Sequence, residues 1–210
     1  MRATSIFKKT LMALTGLAWF GFVIGHLGGN LLLFTGEEAF NAYAHKLESL
    51  GPLLYAAEIL LIALLATHAF TGIRLALQNR AARGTNKYAV SQTHGQASWA
   101  SRTMAVAGTI LLVFIILHVN MFKYGNKDGD GGLYGLVMRS FQDPIVVGLY
   151  IMSMLALGLH LSHGFGSAFQ TLGVVRPDWR TRLRTFGSAF GWLLALGFIS
   201  LPVYAFFAGA

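Results

Sequence analysis

Residues Thr15 to Phe34 read TGLAWFGFVIGHLGGNLLLF, twenty residues with no acidic or lysine or arginine side chain and one histidine, His26, among them. An apolar run of about 20 residues is what a helix needs to cross the hydrocarbon core of a bilayer. An ionisable group at that depth is costly, and by default it marks a functional site. Gly21, Gly25 and Gly29 recur every four residues and so share one helix face. That face leaves room for a second helix or for a flat cofactor lying close to the backbone.

The remainder of the chain extends the membrane reading. Of 210 residues, 55% are hydrophobic and only 11% are charged, and the mean hydropathy is +0.58. Soluble domains carry about 25% charged residues, so the expected class is an all-α integral membrane protein. The apolar run after Lys8 and Lys9 is too long for a cleavable leader and lacks a small-residue cleavage pattern. There is no cysteine. Thiolate-bound iron–sulfur clusters, disulfides and covalently attached c-type haem are therefore excluded in this chain. The net charge of +8 would suggest nucleic acid in a soluble protein; in a membrane protein it reflects basic loops on one side. No nucleic-acid partner is expected, and no polar stretch is long enough to build an extramembrane core.

Five spans are predicted, at about 10–34, 53–78, 101–124, 143–173 and 185–207, forming one membrane domain over 1–210. Between the first two lies an amphipathic stretch from Ala39 to Leu50, closed by Gly51-Pro52. Arg80 to Arg102 is a basic connection, Asn126 to Gly132 a glycine- and aspartate-rich turn, and Arg176 to Arg184 a basic link containing Trp179. Asp143-Pro144 opens the fourth span, proline being well placed in a first turn. Lysine and arginine crowd the N-terminal tail, the second-to-third connection and the fourth-to-fifth link. The positive-inside rule then places the N-terminus in the cytoplasm and the C-terminus outside the cytoplasmic membrane.

Orientation turns sequence position into depth. His26 lies about 16 residues into its span, roughly 24 Å at 1.5 Å per residue, and His118 a similar distance into the third. Both fall toward the outer side. His68 and His160 lie on inward-running spans and fall toward the cytoplasmic side. Forty-two residues separate His26 from His68, and again His118 from His160. No internal repeat is read beyond this equal spacing. A pair of neutral imidazoles from two facing helices is an arrangement that holds a b-type haem iron axially. Two pairs at two depths predict two haem b groups, one above the other.

Blander readings compete. A single membrane histidine more often hydrogen-bonds a neighbouring helix than ligates metal. Proton relays and metal transporters also use such histidines, but usually beside intramembrane acids, and here the only acid well inside a span is Glu58. Four histidines in four spans, pairing by depth, favour ligation.

The chain resembles the five-helix, di-haem cytochrome b subunits (b558 type) of succinate dehydrogenase and fumarate reductase. The resemblance is carried by HLGGN at His26, EEAFNAYAHKLESLGPLLYAAEI from Glu37, THAFTGIRLA from Thr67, SRTMAVAGTILLVFIILHV ending at Val119, and GLHLSHGFGSAF from Gly158. It implies that His26 and His118 bind the outer haem and His68 and His160 the inner one. It implies a flavoprotein subunit and an iron–sulfur subunit docked on the cytoplasmic face, with succinate oxidation or fumarate reduction at the flavin and not in this chain. Electrons would pass between those clusters and a membrane quinone, menaquinone, through the haems. Some fumarate-reducing members carry a glutamate two residues before the fourth ligand for a transmembrane proton path; here that position is Gly158.

Quinone chemistry moves protons with electrons and needs a titratable group near an interface. Glu48 and His45, in the amphipathic stretch, are the candidates, Glu48 standing where family members can carry a quinone-linked acid. Haem propionates favour cationic or polar partners at the membrane edge. Arg74, His94, Trp99, Ser101, Arg102 and His163 are candidates there. Trp179 and its arginines suit an interface anchor or a docking surface. A haem b subunit of another quinone-linked enzyme, such as a hydrogenase or formate dehydrogenase, shares the haem chemistry but not the segment order.

Overall fold

The computed structural model describes residues 5–83 and 99–209. Its helices are α1 (Ser5–Asn30), α2 (Glu37–Glu48), α3 (Pro52–Arg83), α4 (Trp99–Phe122), α5 (Gly132–Ser140), α6 (Pro144–Thr171) and α7 (Arg180–Ala208), with 3-10 turns at Leu31–Thr35 and Pro177–Trp179. No strand occurs among the described residues. Five of these helices are long and apolar enough to cross a membrane, so the protein is an all-α, multi-pass membrane protein. Hydroxyls inside the spans turn back onto their own helices: Thr15 Oγ1 donates to the Leu11 carbonyl, Thr67 Oγ1 to Ala63, and Ser153 Oγ to Leu149. That keeps polar atoms satisfied where no water is present to do so.

Lys8 Nζ lies 3.5 Å from Gln78 Oε1, and Lys123 Nζ pairs with the Glu58 carboxylate. The start of α1 is thus beside the end of α3, and the end of α4 beside the start of α3. Helices α1, α4 and α7 run one way, α3 and α6 the other. α6 is the axis of the bundle, burying Tyr150, Ser153, Met154, Leu157 and Leu161 among α1, α4 and α7. By contrast, α3 leans chiefly on α1 and leaves Ile59, Ile62, Phe70 and Leu77 outward. An apolar face of that length suits lipid.

The two ends differ. One carries Lys8, Lys9, Arg74, Arg80, Arg176 and Arg180 and is the basic end. The other is capped by the Leu31–Thr35 turn, α2 and α5. Asn41 joins the cap: its Nδ2 donates to the Gly131 carbonyl at 2.9 Å and its Oδ1 accepts from Tyr134 N at 3.0 Å. Leu33, Phe40, Val137 and Phe141 form the apolar floor beneath. α5 was not anticipated; its first residue, Gly132, is the last of the glycine-rich run that reads as a turn. Gly131 and Gly132, with φ of +83° and +55°, do make that turn, and the helix starts on it. Asp143 caps α6 as its sequence suggests, Oδ1 accepting from Ile145 N at 2.8 Å with Pro144 in the first turn.

Candidate functional site

The four histidines meet in two pairs. His26 of α1 faces His118 of α4 with ring centroids 5.7 Å apart, toward the capped end. His68 of α3 faces His160 of α6 with centroids 6.1 Å apart, toward the basic end. Imidazole nitrogens sit about 2 Å from a bound metal, so two rings ligating one metal from opposite sides have centres about 6 Å apart. Among the described residues no three His, Cys, Asp or Glu side chains gather to hold a bare ion. Two donors suit a metal whose remaining positions are already filled by a macrocycle.

Hydrogen bonding sets which nitrogen His68 offers. His68 Nδ1 lies 3.1 Å from the Met12 carbonyl, which can only accept. Nδ1 must therefore carry the proton in the neutral ring, leaving the Nε2 lone pair bare for a metal. The Thr15 hydroxyl, 3.3 Å away, shares the same hydrogen. Nδ1 of His160 is buried beside the Met104 carbonyl without closing a hydrogen bond to it. His118 Nδ1 lies 3.1 Å from the Tyr150 hydroxyl. Asn30 Nδ2 donates to the His26 carbonyl at 2.7 Å and approaches the ring at 3.5 Å.

Glycines admit the inner rings. A Cβ on Gly16 would stand 3.0 Å from His68 Cε1, and one on Gly108 would stand 3.3 Å from His160 Cε1. The stripe Gly21, Gly25, Gly29 behaves differently. Gly29 receives the Tyr43 ring, while Gly21 and Gly25 face open space. Among the described residues no helix packs onto Gly21 or Gly25, which leaves room there for a flat ligand.

These contacts expose a repeat that the histidine spacing alone did not reveal. Met12, Gly16, Phe22, His26, Pro52, His68 and Gly72 recur 92 residues later as Met104, Gly108, Phe114, His118, Pro144, His160 and Gly164. The contacts recur with them. Phe22 stacks on His26 at 5.2 Å and Phe114 on His118 at 5.6 Å. Gly72 faces Met12 and Gly164 faces Met104, each at 3.8 Å from an added Cβ. The bundle is two similar helical hairpins, each giving one ligand to each pair. Few identities survive between the hairpins, so only the contacts show which residues matter.

Other candidates fall as follows. His45 and Glu48 are exposed on α2 and lie 3.5 Å apart, with Lys127 Nζ 3.4 Å from Glu48. Arg74 lies over the Phe70 ring on the wall of an open groove of about 500 Å³ between α1 and α3. His163 is half-buried near Arg184, which the sequence reading passed over and which also bonds Gln170. His94 lies outside the described residues, as do the side chains of Trp99, Ser101 and Arg102. Trp179 is exposed with Arg182 over its ring.

Gly158 is filled from across the bundle: a Cβ there would meet the Trp192 ring at 2.6 Å. A carboxylate at this position has no space. Gly158→Glu is expected to destabilise the protein by about 1–3 kcal/mol or more through overpacking, read as a lower unfolding temperature in detergent, and to open no proton path.

No protein-family model matches the chain, and no solved structure matches it. Among curated proteins it is 29% identical, over 201 residues covering 94% of this chain and 95% of the relative, to the succinate dehydrogenase cytochrome b558 subunit of Bacillus subtilis. From end to end, the chain is similar to a cytochrome b558 subunit.

Proposed function

We propose that this chain is the membrane anchor and electron-transfer subunit of a succinate:quinone oxidoreductase. The observation that carries the reading is the meeting of four histidines from four spans as two facing pairs at two depths. The whole-length likeness to a succinate dehydrogenase cytochrome subunit supports it. Haem b, when bound at each pair, supplies a one-electron carrier that needs no covalent attachment.

The chain's own residues do the rest. His26 with His118, and His68 with His160, would hold the two haems. The Met12 carbonyl and Tyr150 orient two of the rings, and Gly16 and Gly108 make room for the inner two. The half-buried His163 and the exposed Arg184 suit the anionic edge of the inner haem at the basic end. That end, taken as cytoplasmic by its charge, would receive an iron–sulfur subunit carrying a flavoprotein subunit. At the capped end, Glu48 and His45 would exchange protons between a quinone, menaquinone in this reading, and water outside. Their exposure suits proton exchange with solvent.

The deciding experiment is isolation of the complex from membranes, with haem-to-protein ratio, optical spectrum and succinate-dependent reduction measured together. Two b haems per chain, low-spin bands and a copurifying flavin subunit are expected. A folded, colourless chain would end the proposal. Haem reduced by hydrogen or formate but not by succinate would move it to another dehydrogenase. For the proton role, Glu48→Gln is expected to lower quinone turnover about tenfold or more while succinate still reduces both haems. Unchanged turnover would return Glu48 to an ordinary surface carboxylate.

A further inference from the structure

The two hairpins repeat most of their ligand contacts, and they part company at one position. Tyr150 of α6 has Glu58 of α3 as its mate 92 residues earlier. Glu58 turns away to pair with Lys123. Tyr150 is instead buried, 7% exposed, inside a ring of aromatic side chains from Phe114, Phe122 and Phe141 at 4.9–5.9 Å. From there its hydroxyl reaches His118 Nδ1 at 3.1 Å. The inner rings lean chiefly on backbone: His68 Nδ1 meets the Met12 carbonyl at 3.1 Å, with the Thr15 hydroxyl at 3.3 Å, and His160 Nδ1 lies beside the Met104 carbonyl.

The polarity of the Tyr150 contact can be read. The hydroxyl has one hydrogen, and Met121 Sδ, 3.8 Å away, is an acceptor within its reach. Sulfur of a thioether only accepts. With that hydrogen on sulfur, the oxygen is free to accept from His118 Nδ1–H, which leaves a bare Nε2 lone pair on the ring that faces His26. Reversed, with the hydroxyl donating to Nδ1, the proton would sit on Nε2 and the ring could not ligate. Met121 thus offers the hydroxyl hydrogen a place other than His118 Nδ1, which favours the ligating direction.

We propose that Tyr150, held by Met121, is a positioning residue that fixes the ligating tautomer of His118 and tunes the outer haem separately from the inner one. The proposal rests on the haem reading above. A hydrogen bond accepted from Nδ1–H makes the imidazole a stronger donor to iron and stabilises the ferric state. Its removal should raise the reduction potential of the outer haem alone.

The test uses the complete complex with Tyr150→Phe, which keeps the ring and removes only the hydroxyl. The haem ratio, redox titration and ferric low-spin spectrum by electron paramagnetic resonance are recorded. The outer component is identified beforehand as the one absent in His118→Ala. Expected are two haems retained, the outer one more reduced at a fixed ambient potential by three- to tenfold (tenfold being about 59 mV for one electron), shifted outer g-values, and an unmoved inner component. If Tyr150→Phe does not assemble, Met121→Leu, which removes the second acceptor and so weakens the bond the hydroxyl accepts from Nδ1–H, is expected to move the outer component in the same sense by a smaller amount. Two haems with no shift, or equal shifts in both, would overturn the role of Tyr150 and leave the haem reading standing. A colourless wild-type complex would instead remove both.

Discussion

If each facing pair holds a haem, as proposed above, replacing His68 or His160 with alanine is expected to leave one haem per chain in place of two, and the one that remains should be the same in both variants. The reason is geometric. The two rings come from different hairpins, α3 and α6, yet they face one another at 6.1 Å, so either loss removes one side of the same clamp. The other clamp is built on α1 and α4 toward the opposite end and shares no ligand with it. The measurement is the haem-to-protein ratio together with a redox titration. The surviving step should have one midpoint, common to both variants. His26→Ala and His118→Ala should complement them, each keeping the step that the first two lose. Crossed results, such as His68→Ala and His118→Ala losing the same component, would mean that the pairs are wrongly drawn. An unpaired imidazole cannot hold low-spin iron through the vacated side, so partial retention should show as a high-spin spectrum, not as a normal band at lower intensity. Electron entry should fail with the inner pair: succinate would no longer reduce the surviving outer haem at its native rate if the inner pair is the first acceptor.

How this arrangement was legible beforehand is instructive at particular residues. His26 and His118 could be paired from sequence because span length and loop charge together convert position into depth. The same arithmetic placed His68 with His160. Asp143-Pro144 announced the start of α6 through cap chemistry that is local to three residues. What escaped was whatever depends on an approach between distant segments. Gly16 looks like any small residue on a membrane helix; the ring of His68 across the bundle distinguishes it from Gly21, where an added Cβ would meet nothing among the described residues. Tyr150 carries no pattern of its own, since its partner lies 32 residues away on another helix. Gly158 was noted for the glutamate it lacks, whereas its physical role is to receive Trp192. The signal that could have found several of these was the 92-residue offset. It is visible only when Met12, Gly16 and Phe22 are counted along with the histidines.

That offset also grades the last prediction. Gly16→Val should cost most or all of the inner haem, and Gly108→Val somewhat less at first sight, because the rings stand at 3.0 and 3.3 Å from the added Cβ. At Gly16 the ring cannot simply swing aside. Its Nδ1 is held by the Met12 carbonyl one turn earlier on the same helix, so retreat from a new methyl breaks the bond that sets the tautomer. At Gly108 the His160 ring is free of a closed hydrogen bond and can yield by a few tenths of an ångström. Alanine therefore separates the two sites better than valine: Gly16→Ala should lose inner haem substantially, on the order of tenfold in retention for about 1.4 kcal/mol of overpacking, while Gly108→Ala should retain most of it. Gly148→Ala, whose Cβ would meet nothing on an exposed face of α6, is the control and should keep both haems. Haem-to-protein ratio and the amplitude of the inner redox step read the series. Should Gly108→Ala prove the more damaging, the Met12 carbonyl would not be what holds the inner site in place, and the strain would have to be sought on α4.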